Sequence, residues 1–224
     1  MKIPMRVFSF LLLSAGILSA MLLSTQSAYL APLFAQGETD SFRYSAQVEG
    51  ADNLYVNVSI DFDNANALRK YRQANQQRGK QLHQQDMRDI PVQITFKQPL
   101  AQPEAHALAE QAGLTVQDFT MVGHSAITKQ RGGHFTLGSL NDPVQVEQNM
   151  GGNQERLLLE GVMVIKGTVA NAAGLRQLEG DERIYLVDTS EAQVRELLNK
   201  HHRAWVKNKS IVVAVPSPFW MLDW

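Results

Sequence analysis

The sequence predicts an α+β fold centred on a βαββαβ unit with an antiparallel sheet. An N-terminal β-hairpin and a C-terminal helix and strand flank it. Three observations lead there. Two segments, 92–122 and 157–188, each read as strand, short helix and returning strand. The run "LYVNVSI" at 54–60 alternates apolar and polar residues with the period of two that a half-buried strand shows. The run "TSEAQVRELLNKHHRAW" at 189–205 spaces its apolar residues for a helix, and "SIVVAV" then turns strand-like.

The segment 1–36 carries Lys2 and Arg6 and then no charge before Glu38. A basic flank ahead of an apolar run describes an export signal. The run from Val7 to Leu23 also approaches the roughly 20 residues that span a bilayer, so a signal peptide and a retained membrane anchor both fit. Ala28 in "TQSA" and Ala35 in "LFAQ" are the residues after which a cut would fall. In either case the basic end stays cytoplasmic and the rest is extracytoplasmic, secreted or held on the cytoplasmic membrane.

Residues 41–90 read as a β-hairpin and a polar helix. "FRYSAQV" places Phe42, Tyr44, Ala46 and Val48 on one side, and the turn "EGADN" joins it to "LYVNVSI". The following stretch, 61–89, is rich in Gln, Arg and Lys, with Asp61 or Asp63 as N-cap and only Leu68, Tyr71 and Leu82 at helical apolar spacing. So polar a helix lies on the surface or bridges two units. Its Arg69, Lys70, Arg72, Arg78 and Lys80 read as a solvated face, with an anionic lipid surface as the alternative.

Residues 91–188 form the core. Val92, Ile94 and Phe96 alternate as a strand, and Pro103 suits a first helical turn because it has no amide proton to lose there. Ala105, Leu108, Ala109 and Ala112 make the buried stripe, and Gly113 permits the left-handed closing turn. "TVQDFTMV" returns as a strand. In the second half the continuous run Val162, Met163, Val164, Ile165 suits a central strand. Asn171 caps a helix bearing Leu175 and Leu178, Gly180 ends it, and Ile184 to Val187 return. Glu179, Asp181 and Glu182 read as the solvated charges of a turn.

The insertion 123–156 holds Gly132-Gly133 and Gly151-Gly152. It is expected to form an extra hairpin of "SAITKQ" with "HFTLGSL". The alternative is an anion-binding rim of His124, Lys129, Arg131 and His134. In 189–224, Ser190 and Gln193 have capping-box spacing, and Val194, Leu197, Leu198 and His201 form the buried face of a helix. Phe219, Trp220, Met221 and Trp224 then fold back over the sheet or dock a partner.

The chemistry is sparse. Net charge is -1, which calls for no nucleic acid, and with no cysteine there are no disulfides, thiol nucleophiles or cysteine metal sites. None of the six histidines is paired with another at the spacing of a helical zinc site, and all six read as structural. No nucleophile elbow, P-loop or dinucleotide fingerprint occurs. We therefore expect no catalytic, cofactor or metal residues. The partner-binding candidates are His124, Arg131, His134, Phe219, Trp220 and Trp224.

From Val92 to Asp188 the pattern resembles the inhibitor-I9 propeptide domains found ahead of subtilisin-like proteases. The carriers are "VQITFKQPL" leading into a helix and "GTVANAAGLRQLEGDERIYLVD" in the second half. The resemblance implies a ferredoxin-like fold and a protease partner bound by the outer sheet face. In those domains the chain beyond the last strand enters the protease cleft extended, whereas here a capped helix follows Asp188. The fold is also similar to that of acylphosphatases, but "KQPLAQPE" lacks the arginine of their phosphate cradle. The expected function is a non-enzymatic protein-binding module of the cell envelope, with a protease among the candidate partners. A membrane-anchored structural or assembly protein is the alternative.

Overall fold

A computed structural model describes residues 33–50, 52–85, 87–141, 144, 147–149 and 156–222. The chain is a mixed α+β fold with two sheets and four α-helices among these residues. In order they are β1 (Leu33–Glu38), β2 (Arg43–Glu49), β3 (Asn53–Ser59), α1 (Ala65–Gln84), β4 (Arg88–Leu100), α2 (Gln102–Gln111) and β5 (Leu114–Ser125). Then follow β6 (Arg131–Leu137), β7 (Glu147–Asn149), β8 (Arg156–Asn171), α3 (Ala172–Gly180), β9 (Ile184–Asp188), α4 (Ser190–Val206) and β10 (Ser210–Ala214). A short 3-10 turn, Pro218–Met221, ends the described chain.

The larger sheet has the order β6-β5-β8-β4-β9 and is antiparallel at every pair. The two strand–helix–strand segments therefore interleave: β8 lies between β4 and β5, and β9 lies outside β4. The continuous apolar run of β8 explains its central place, since Val162, Met163, Val164 and Ile165 are buried whichever face they point to. One face of the sheet carries Ile94, Phe96, Phe119 and Ile165 against Ala105, Leu108 and Ala109 of α2 and Leu175 and Leu178 of α3. Gly113 follows α2 with φ +61, the left-handed conformation its sequence position suggested. Asn171 caps α3 by accepting from the amides of Ala173 (2.9 Å) and Gly174 (3.2 Å).

The smaller sheet runs β1-β2-β3-β10. β2 and β3 pair antiparallel, while β10 comes back from the far end of the chain to lie parallel to β3. Their inner residues Phe42, Tyr44, Ala46, Leu54, Val56 and Val58 pack with Val194, Leu198 and Val206 of α4 in a second core. Helix α1 joins the two. Tyr71 belongs to the second core and Leu82 to the first. Its buried residues Tyr71, Asn75, Gly79 and Leu82 form one narrow stripe three or four residues apart. That is how so polar a helix is held.

Several local expectations are corrected. The N-cap of α1 is Asn64, which accepts from the amides of Asn66 (2.9 Å) and Ala67 (3.2 Å), so neither Asp61 nor Asp63 serves. The insertion does form a hairpin, but its first strand is β5 itself, extended to Ser125. "SAITKQ" is mostly the turn, with Lys129 at φ 60. Ser190 is the first residue of α4 rather than its cap, because its side chain is engaged by Asp188. His201 is exposed, and the helix kinks at the next residue, His202 (φ -134, ψ 27), beyond which Val206 still reaches the second core. Gly180 does end α3 as its position suggested, with the extended Asp181 as C-cap.

Candidate functional site

The hairpin and the tail meet on the sheet face opposite α2 and α3. His124 stands directly across from Arg131 in the β5–β6 register, and opposed residues share a face. His134 opposes the buried Met121, so it points to the other side and leaves the predicted rim. The Nδ1 of His124 is hydrogen-bonded to Oε1 of Glu160 on β8. Arg131 Nη1 donates to the Leu222 carbonyl at 2.9 Å and so ties the hairpin to the tail.

The tail lies over this outer face. Gln93 Nε2 donates to the Pro216 carbonyl (3.4 Å), Thr95 Oγ1 and Ser217 Oγ are 3.0 Å apart, and Lys166 Nζ donates to the Val213 carbonyl (2.7 Å). Phe219 is buried in the main core with its ring 4.2 Å from that of Trp220, which lies over Gly133. Trp224 lies outside the described residues. Of the six candidates, the fold gathers His124, Arg131, Phe219 and Trp220 on one face, and Phe219 serves as its buried anchor.

Beside this junction the surface is apolar. Phe135 is 57 % exposed, Leu137 77 % and Trp220 52 %. Phe135 and Leu137 sit on the same face of β6 as Arg131 by the two-residue period. β6 is the outermost strand of its sheet, so its second row of backbone N–H and C=O groups faces no strand among the described residues. Exposed aromatics beside an open strand edge are the usual makings of a peptide-docking surface.

One buried and one half-buried polar cluster escaped the sequence reading. Asp188, buried at the end of β9, accepts from the Ser190 amide (2.9 Å), from Ser190 Oγ (2.6 Å) and from the Tyr71 hydroxyl. Burial raises its carboxyl above the ordinary value, and burial with the adjacent carboxylate pushes the Tyr71 hydroxyl well up. Asn75 Oδ1 accepts from the Thr189 amide (2.7 Å) and from Thr189 Oγ1 (3.2 Å), completing a clamp between α1 and the β9–α4 corner. Nearby Glu191 pairs with Lys166 (3.3 Å) and Arg195 (2.8 Å), linking β8 to α4.

The second cluster is Glu179 with His83. Glu179 belongs to α3, not to a solvated turn, and it packs into the notch left by Gly79 of α1, where a Cβ would collide with its carboxylate. Burial pushes its carboxyl up to about 7, against the pull of Lys80. His83 Nε2 lies 3.0 Å from Glu179 Oε2, out of line for a hydrogen bond. Burial and then Arg176 hold His83 below its ordinary value. The sequence did carry a sign of this pair, since Glu179 falls four residues after the buried Leu175.

Among the described residues no group of His, Asp and Glu side chains could hold a metal ion, and no helix is long and apolar enough to cross a membrane. No known protein family, curated protein or solved structure matches this chain.

Proposed function

We propose that this chain is an exported, non-enzymatic protein-binding module of the cell envelope, built on a ferredoxin-like core. The observation that supports this most is the exposed apolar face formed by Phe135, Leu137 and Trp220 beside the open edge of β6. The strand order β5-β8-β4-β9, with helices α2 and α3 in the crossovers, is the arrangement the ferredoxin-like reading calls for. A bound polypeptide would extend the sheet along β6 through backbone hydrogen bonds, with the aromatic side chains setting its register.

A subtilisin-like protease is one partner to try first. Residues 213–219 already cover the outer sheet face, so inhibition by that face would require them to leave. We expect any protease contact to use the hairpin edge instead. Hydrolysis by subtilisin-type proteases is the assay: slowing that is lost in Leu137→Asp supports the protease reading. No slowing at micromolar chain removes it. For the wider reading, a photo-crosslinker at Leu137 should trap a discrete envelope protein, and Trp220→Ala should abolish that adduct. No adduct, or one equally strong at the remote Glu49, rejects the surface.

Export rests on the first 36 residues. β1 starts at Leu33, and Ala35 is buried in the second core, so a cut after Ala35 would halve the edge strand while a cut after Ala28 leaves it whole. The native chain is therefore expected to begin at Tyr29, or at Met1 where the segment stays as an anchor. Retention at Met1 with full membrane fractionation would favour the second reading, a membrane-anchored structural or assembly protein. A product beginning at Gln36 contradicts the β1 argument.

A further inference from the structure

A second feature lies away from the hairpin, where the end of α1, the start of β4 and the start of α3 converge. They enclose an open cleft of about 620 Å³ lined by His83, Gln84, Arg88, Asn171, Arg176 and the three alanines 170, 172 and 173. Arg88 faces Asn171 in the β4–β8 register, which places it beside the first turn of α3. Arg176 comes from the next turn of that helix. Three basic side chains from three elements thus share one cleft, and among the described residues no carboxylate is in its lining. Among the described residues neither Arg88 nor Arg176 makes a hydrogen bond or ion pair. Most other arginines of the fold do, as Arg78 does with Glu196, Arg183 with Asp181 and Arg195 with Glu191.

We propose that this cleft binds a phosphomonoester, held by the guanidinium groups of Arg88 and Arg176 with His83 in the wall as a titratable neighbour. A dianion with several oxygens matches two planar forks better than a single carboxylate does. The space far exceeds a bare tetrahedral ion and leaves the alanine floor for the group that carries the phosphate. The end of α3 supplies field rather than donors, because Asn171 already occupies the Ala173 and Gly174 amides. The C-terminal end of α1 opposes an anion, so the arginines must carry the recognition.

His83 adds a pH signature. The charged groups around it are Arg176 and Glu179 from α3, Arg88 from β4 and Lys80 from its own helix. An anion between the arginines offsets their repulsion of a protonated imidazole, so binding takes up a proton and tightens as pH falls. Glu179, whose carboxyl is pushed up to about 7, also loses its negative charge on acidification and adds to the same tightening.

The test is calorimetric titration of the full chain with phenyl phosphate, inorganic phosphate and sulfate. Phenyl phosphate should bind more tightly than inorganic phosphate. Arg88→Ala and Arg176→Ala should each weaken it about tenfold. Arg176→Lys, which keeps the charge but not the fork, should weaken it as well and guards against a misfolded alanine variant. Sulfate keeps its charge across neutral pH, so its tightening on acidification reads His83 and Glu179 together; it should shrink in His83→Gln and vanish in the double variant His83→Gln with Glu179→Gln. Vesicles of phosphatidylcholine with phosphatidic acid separate a lipid headgroup from a soluble ligand. Arginine-dependent binding of either source supports the site. Absence of binding to both, or binding that Arg176→Lys preserves in full, overturns it.

Discussion

The Glu179–His83 contact gives a prediction whose sign is fixed by the structure. The perturbation is Glu179→Gln, which keeps the shape in the Gly79 notch and removes the titration. In the folded chain the carboxyl is pushed from its ordinary 4.5 up to about 7, so folding holds a proton that the unfolded chain releases. Stability from this group is greatest when both states are protonated and is lost as pH rises from 4.5 to about 7. At about 1.4 kcal/mol per pKa unit the full shift has a ceiling of about 3.5 kcal/mol. Solvent reaches part of the side chain, and about 1–2 kcal/mol is the expected loss after that screening. His83 acts in the opposite sense. Its folded value lies below the ordinary 6.5, so the folded chain refuses a proton that the unfolded chain takes, and stability falls as pH drops below 6.5. In the wild type the two trends offset one another. Glu179→Gln leaves only the histidine trend. Urea unfolding followed by tryptophan fluorescence, repeated from acid to mildly alkaline pH, measures the difference directly. The variant should gain about 1–2 kcal/mol on the wild type as pH rises from below 5 to about 8. A difference constant across that range refutes the burial of Glu179.

Three further perturbations probe the rest of the fold. Leu178→Asp buries an unpaired charge at a position 1 % exposed and should cost more than about 3 kcal/mol in a denaturant melt; an unchanged melt would detach α3 from the sheet. Tyr71→Phe leaves Asp188 one donor short and should cost about 1–3 kcal/mol, with no loss if the clamp carries nothing. Asn64→Ala should cost about 1 kcal/mol in urea unfolding while Asp63→Ala stays within about 0.5, and the reverse order would restore the aspartate as cap.

How far the sequence could be read follows from the range of the forces involved. The alternation of Leu54, Val56 and Val58, the Asn171 cap and the Gly113 turn are set by neighbours within a few residues, and each stands in the structure as the pattern implies. Most misreadings involve partners far along the chain, with the Asn64 cap a local exception. Ser190 looked like a cap by its spacing to Gln193, yet Asp188 two residues back and, across 119 positions, Tyr71 engage its hydroxyl. Asn64 displaced the two aspartates by one turn geometry that periodicity does not encode. Glu179 looked solvated until Gly79 of another helix supplied a hole for it. The candidate site shows the same division. Arg131, Phe219 and Trp220 were legible as unusual residues, but their meeting on one face depends on where the tail returns. His134 failed because it lies three residues from Arg131 on β6, an odd step that puts its side chain on the other face.

The proposed docking surface depends on the outer face of the large sheet being closed by the chain's own C-terminal segment. Cysteine pairing tests that closure directly, and the native sequence contains no cysteine to compete. Thr95 and Ser217 place their hydroxyl oxygens 3.0 Å apart, within the reach of a disulfide once both are replaced by cysteine. The double variant Thr95→Cys with Ser217→Cys should oxidise readily in the folded state and unfold reversibly at a higher denaturant concentration than its reduced form. Cysteines that stay free in native buffer, or pair only after denaturation, would show that the face is open and that partner binding must be sought there instead.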